Sequence, residues 1–227
     1  MKVILFGATG MIGQGVLREC LLDPGIESVL SIVRSATGQP HPKLREIVHR
    51  DFHDFSAIED QLTGYDACFF TLGVTSAGMN EEQYRRITYD ITLAAAQTLV
   101  RLNPSMTFIY LSGSGTDSTA SGRSMWARVK GKTENDLLSL PFKAAYMFRP
   151  GFIVPLHGIK SKTRVYRIFY SLGGPLVSLA HTLFPKQTTT TEKLGRAMIY
   201  AARFGAPRRV LETRDIYELT QRTATPS

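Results

Sequence analysis

The chain begins with a short apolar run, KVILF, followed at once by GATGMIG, which places glycines at 7, 10 and 13. An all-apolar run bounded by glycine is what a strand buried on both faces requires. The amphipathic stretch MIGQGVLRECLL, apolar at Met11, Val16, Leu17, Cys20 and Leu21, then predicts a helix ended by Asp23-Pro24-Gly25. In that context Gly7 permits a tight turn, Gly10 lets backbone approach a pyrophosphate, and Gly13 lets the helix pack closely on the strand. The helix N-terminus adds a dipole favourable to phosphate. Gly7, Thr9, Gly10, Met11, Ile12 and Gly13 are therefore the expected phosphate-contacting turn of a dinucleotide site.

Strand-like and helix-like stretches alternate through the rest of the chain. SVLSIV, REIVHRD, DACFFTLG, MTFIYLSG, KAAYMFRPG and RRVLET read as strands, while FSAIEDQL reads as a short helix. NEEQYRRITYDITLAAAQTLVRL is predicted as one long helix capped by Asn80 and ended at Asn103-Pro104. SMWARVKGKTENDLLSL and TTTTEKLGRAMIYAARFG are two further helices, the second ended by Gly205, and DIYEL is a terminal helical turn. Helices of this length between strands imply parallel pairing through right-handed crossovers, hence an α/β doubly wound parallel sheet. Nothing in the 227 residues resembles a linker, so residues 1–227 are read as one domain.

Charge narrows the partners. Residues 1–140 carry 13 basic and 15 acidic side chains, and the remainder 14 and 4, so the net +8 comes from the C-terminal part. Such asymmetry suits an anionic ligand or a membrane surface, and no nucleic-acid motif accompanies it. Cys20 and Cys68 sit singly in apolar runs, which gives buried thiols rather than a metal site or disulfide. The initial apolar run is too short for a secretory h-region, and the expected location is the cytoplasm.

The end of the second strand decides which dinucleotide. An acidic residue there would accept from the ribose 2′-hydroxyl, but this chain has Arg34 and Ser35, which suit a 2′-phosphate. The expectation is NADP(H) in preference to NAD(H). Asp51 and Phe52, after the third strand, are placed to meet the adenine, and Leu72 and Gly73, after the fourth, to let backbone pass close to the adenosine ribose.

GATGMIGQG, HRDF, the passage from YLSGSG to Lys130, and RPG occur in the order found in the short-chain dehydrogenase/reductase superfamily. The chain most resembles its atypical, epimerase/dehydratase-like branch related to Tat-interacting proteins. The resemblance implies a Rossmann fold and a nicotinamide cofactor. It implies that Lys130 hydrogen-bonds the nicotinamide ribose, that Ser112 or Ser114 orients substrate, and that Pro150 and Gly151, with Ile153 beyond, face the carboxamide. Two positions depart from it. Trp126 stands where the superfamily has its catalytic tyrosine, and Thr88 where many relatives have an asparagine.

An indole N–H donates a hydrogen bond but does not titrate usefully, so Trp126 cannot shuttle a proton. A serine and water, or Tyr110, Asp117 or Arg123, remain as substitutes. Residues 152–190 are read as a small helical lid over a substrate pocket, with Lys160, Lys162, Arg164 and Arg167 preceding an apolar stretch broken by Gly173-Gly174-Pro175. A membrane-surface anchor or a homodimer contact are the other readings of that stretch. The expected function is an NADP(H)-binding oxidoreductase for a small hydrophobic carbonyl or hydroxyl compound; the alternative is a dinucleotide-responsive binding or scaffold protein without catalysis.

Overall fold

The computed structural model describes residues 1–159 and 188–223. Seven parallel strands form one sheet: β1 (Lys2–Phe6), β2 (Ser28–Val33), β3 (Leu44–Val48), β4 (Ala67–Phe70), β5 (Thr107–Leu111), β6 (Ala144–Arg149) and, late in the chain, β9 (Val210–Glu212). Their spatial order is β3-β2-β1-β4-β5-β6-β9. The chain winds outward from β1 through β2 to β3, then crosses back to lay β4 on the other side of β1. That reversal opens a crevice at the carboxyl ends of β1 and β4, where ligands of doubly wound sheets bind.

Period-two alternation sorts the strand side chains into two cores. Val3, Leu5, Val29, Phe69, Ile109 and Leu111 face α1 (Met11–Leu22), α5 (Thr191–Phe204) and α6 (Thr213–Thr223). Ile4, Phe6, Leu30, Phe70, Phe108 and Tyr110 face α3 (Ile91–Leu102) and α4 (Met125–Ser139). Burial on both faces explains why these strands read as unbroken apolar runs. Helices α1 and α5 approach closely because both offer glycine: a Cβ on Gly15 would lie 2.5 Å from Thr191 Cβ, and one on Gly195 2.9 Å from the Glu19 side chain.

Asn80 and Gln83 form a reciprocal capping box at the start of α2 (Glu81–Arg85). The helix expected to run unbroken to residue 102 instead contains a π-turn, Arg86–Asp90, between α2 and α3. Thr88 is buried within it, and the Thr92 hydroxyl donates to the Thr88 carbonyl. Threonine back-bonding of this kind bends helices.

The expected helical lid falls largely on residues 160–187, outside the described residues. Its two ends are strands rather than helix: β7 (Phe152–Val154) pairs in parallel with β8 (Thr188–Thr190) as a separate two-stranded ribbon. The runs FIV and TTT are rich in β-branched residues, which suits that pairing. Thr190 then caps α5 by accepting from the Lys193 amide.

Candidate functional site

The turn after β1 is shaped by contacts that only glycine allows. Gly7 has φ +87°, and a Cβ on it would lie 2.6 Å from the Leu72 amide nitrogen. A Cβ on Gly13 would lie 1.9 Å from the Gly7 carbonyl oxygen. The loop after β4 and the first turn of α1 are thus both pressed against Gly7. Gly10 is exposed, and a Cβ on it would meet, among the described residues, only the Gly7 oxygen, at 3.3 Å, so its outer side is open. Gly10, at the N-cap of α1, makes no side-chain cap hydrogen bond, and the first turn has no acidic residue. A glycine cradle at an uncapped helix N-terminus, set at the switch point of the sheet, fits the pyrophosphate of a dinucleotide. Thr9, Met11 and Ile12 line it, half-buried, with the Thr9 carbonyl accepting from the Gln14 amide group.

Arg34 and Ser35 are exposed at the carboxyl end of β2. Beside them, where β3 ends in register with β2, Arg50 and Asp51 are exposed as well. Arg50 was not anticipated; adjacent strand ends brought it there, and strand register is not visible in a sequence read residue by residue. Phe52 departs from expectation. It is buried among Phe6, Phe55 and His49, edge-on to Phe6 at 6.1 Å, because an aromatic ring beside an apolar core is drawn into it. Leu72 is half-buried and Gly73 exposed at the crevice.

The opposite end of the crevice is built by α4 and the loops after β5 and β6. The Lys130 ammonium donates to the Ser112 carbonyl oxygen. Burial pulls its pKa down to about 8, against the opposing pull of Glu134. Trp126, one turn earlier, lies against the same loop, its ring edge 3.4 Å from where a Gly115 Cβ would stand.

The two serines separate clearly. Ser112 is buried, its hydroxyl donating to Glu134 and to the Phe148 carbonyl, while Ser114 is exposed and its amide donates to the Pro150 carbonyl at 2.9 Å. The residues considered as substitutes for the tyrosine fall in three different settings. Tyr110 is enclosed in the α3/α4 core, and burial pushes its phenol far up. Asp117 accepts from Thr119, Ser121 and Gly122, which holds its carboxyl below the usual range and closes the loop. Arg123 is exposed, and its carbonyl accepts from Arg128.

Beneath this loop lies a charged group that sequence reasoning missed. Glu134, 1% exposed, accepts from Ser112 and from the Arg149 guanidinium, whose Nε lies 3.0 Å from Oε1. Arg149 also reaches Glu212 of β9 at 3.1 Å and the Ser118 hydroxyl at 2.6 Å. In a sequence, Glu134 among Lys132, Asn135 and Asp136 reads as part of a solvated helix face. Its spacing of four from Lys130 was the available signal. Arg149 leads directly into Pro150 and Gly151, and the Gly151 amide donates to Thr213 at 2.8 Å. Ile153 departs from expectation: its side chain joins the core of α1 and α5, since alternation along β7 turns it inward.

Glu19, His157 and Glu192 offer ligand atoms within 4.8 Å of one another. Arg196 binds both carboxylates and Arg18 binds Glu19, so guanidinium groups already compensate this cluster.

A seven-stranded parallel sheet wound about a glycine turn defines a short-chain dehydrogenase/reductase-type Rossmann fold. The chain belongs to the NAD dependent epimerase/dehydratase family, whose family model matches residues 3–132. The "Protein FMP52-1, mitochondrial" of Scheffersomyces stipitis is 25% identical over 190 residues, 81% of this chain and 83% of that protein. Among solved structures, a short chain dehydrogenases/reductase from Saccharomyces cerevisiae superposes with a TM-score of 0.67 at 12% identity, over 93% of this chain and 95% of that one. The Bordetella bronchiseptica enzyme WbmH, in complex with NAD+, superposes with a TM-score of 0.65 at 17% identity, over 100% of this chain and 82% of that one. Superfamily membership and the doubly wound fold are therefore as the sequence implied.

The expected cytoplasmic location is overturned by the names of the relatives. Those from Scheffersomyces stipitis, Emericella nidulans and Saccharomyces cerevisiae are all named mitochondrial. A short N-terminal apolar run bears only on secretion, whereas mitochondrial sorting reads amphipathic, arginine-rich segments.

Proposed function

We propose that this chain is an NADP(H)-binding oxidoreductase of the atypical short-chain type, acting on a small hydrophobic carbonyl or hydroxyl compound in a mitochondrial setting. The observation that carries the reading is Lys130. A half-buried ammonium fixed to the end of β5, on the same carboxyl edge of the sheet as the glycine turn after β1, suits a lysine that holds a nicotinamide ribose. The mitochondrial names of the relatives support the setting.

When bound, the cofactor supplies or accepts hydride. The chain's residues then divide the remaining work. Gly7, Thr9, Gly10, Met11, Ile12 and Gly13 receive the pyrophosphate, and Leu72 and Gly73 border the adenosine ribose. Arg34 and Ser35, with Arg50 beside them, receive a 2′-phosphate, which is the basis for NADP(H) over NAD(H). Asp51 meets the adenine. Pro150 and Gly151 present backbone to the carboxamide, and β7 backs that turn. Ser114, whose hydroxyl is exposed at the crevice, orients substrate and passes the proton to or from water, because Ser112 is committed to Glu134. Trp126 closes the site against bulk water and offers an aromatic wall.

The second reading, a dinucleotide-responsive binding protein without turnover, is supported by Trp126, which stands where the resemblance puts the catalytic tyrosine and does not titrate usefully. One experiment separates the two. Trp126, the sole tryptophan, is excited while NADPH and NADH are titrated, and transfer to the bound dihydronicotinamide is read alongside NADPH oxidation with a panel of apolar aldehydes and ketones. Transfer with turnover that is lost in Lys130→Met supports the oxidoreductase. Transfer without turnover supports the sensor, and no binding overturns both.

A further inference from the structure

Glu134 has no part in the roles assigned above, yet it lies at the centre of that end of the crevice. A carboxylate is buried only where partners offset its desolvation, and here the Ser112 hydroxyl and the Arg149 guanidinium do so. That explains how the charge is tolerated, not why it is there. An apolar pair at 134 and 149 of similar volume would hold α4 against β6 at equal or lower cost. What an apolar pair could not do is act on Lys130, one helical turn away on the same face of α4.

Two strand ends meet at this carboxylate, that of β5 through Ser112 and that of β6 through Arg149, and Lys130, one turn away on α4, donates to the carbonyl of the same Ser112. We propose that Glu134 is the positioning residue for Lys130, fixing both strand ends around the lysine and keeping it an ammonium. The proposal rests on the reading of Lys130 as the lysine that holds the cofactor ribose. Burial opposes the charge on Lys130 and Glu134 favours it. Among the described residues, the other charged groups packed there are Arg149 of β6, already bound by Glu134 and Glu212, and Glu212 of β9 itself. The other titratable ones are Tyr110 of β5 and Tyr84 of α2, both kept neutral because burial pushes their phenols up.

The test is a titration of the cofactor-free protein carrying [ε-13C]lysine, with the Lys130 resonance assigned by its loss in Lys130→Arg. The wild-type midpoint is expected near pH 8. Glu134→Gln should lower it by about one unit or more, the usual effect of removing a neighbouring opposite charge. Arg149→Met should raise it, since Glu134 then acts on the lysine without its guanidinium, and Ser112→Ala, which removes no charge, should leave it in place. Thermal melts establish which variants fold. A midpoint that stays put in whichever of the two charge variants folds overturns the proposal. The titration uses no cofactor, so a chain that fails to bind NADPH sinks the functional reading without touching this result. A second readout joins the two: NADPH affinity should fall as pH rises through the Lys130 midpoint, and the fall should begin at lower pH in Glu134→Gln.

Discussion

Trp126 and Lys130 stand four residues apart on α4, and both reach the loop that follows β5, the lysine at the Ser112 carbonyl and the indole at Gly115. Residues four apart share a helix face, so a phenol placed at 126 would sit within reach of the Lys130 ammonium. Trp126→Tyr is therefore expected to raise NADPH-dependent carbonyl reduction by about 100-fold or more, the contribution typical of a positioned general acid. Steady-state rates with and without the substitution check this.

The two serines should part company in their effects. Ser112→Ala leaves a buried carboxylate without one donor and is expected to cost about 1–3 kcal/mol of stability. Ser114→Ala removes an exposed hydroxyl and should alter stability by less than about 0.5 kcal/mol while lowering turnover. Urea unfolding and kinetics on both variants would expose an inverted assignment.

Arg34 and Arg50 are expected to discriminate between the dinucleotides. Charge-assisted hydrogen bonds to a phosphate contribute about 1.5–3 kcal/mol, so Arg34→Ala should weaken NADPH binding by about 10- to 100-fold and leave NADH binding nearly unchanged. Arg50→Ala should act in the same direction and more weakly. Calorimetry with 2′,5′-ADP and 5′-ADP isolates this corner from the nicotinamide end.

Gly13→Ala should be among the most damaging single-methyl changes in the chain. The added Cβ would lie 1.9 Å from backbone oxygen, which no side-chain movement relieves. A loss of about 3 kcal/mol is expected, with dinucleotide binding lost alongside; the melting temperature and a binding isotherm measure the two effects.

Acid should loosen the junction of α5 with the segment after β7. The hydrogen bond from His157, ahead of the nearby Arg196, holds the Glu192 carboxyl below its ordinary value of 4.5. A depressed carboxylate pKa stabilises the fold above the unfolded value, and that contribution disappears as pH falls through the folded one. Wild type should thus lose more melting temperature than His157→Ala between about pH 6 and pH 3, since the wild-type carboxylate has more to lose.

Much of this architecture was legible in the sequence because its causes are local. The β1 run, the glycine spacing, the Asn80 cap and the Gly205 stop each depend on neighbours a few residues away. What was not legible depends on through-space partners. Glu134 looks like any surface glutamate until β6 brings Arg149 against it, and Arg50 joins Arg34 only through the pairing of β2 with β3. Phe52 and Ile153 were expected at the ligand, and their burial in the two apolar cores depends on neighbours that the sequence does not show. The π-turn at Thr88 has no compositional marker, and DIYEL, read as one turn, lies within the longer α6 because its apolar side chains Ile216 and Leu219 dock onto the first core.

The glycine-to-threonine seam between α1 and α5 joins parts of the chain that are made far apart in time. Arg196 and Glu19, bonded across it, are separated by 177 residues. During synthesis, Val16, Leu17 and Cys20 leave the ribosome long before Leu194 and Met198 exist to cover them. The nascent first helix can lean on β1 and β2 but waits with the side that faces α5 uncovered while most of the protein is translated, which makes it a natural site for a chaperone to hold. Late closure of that seam, rather than formation of the glycine turn itself, would then set when the crevice becomes able to receive a ligand.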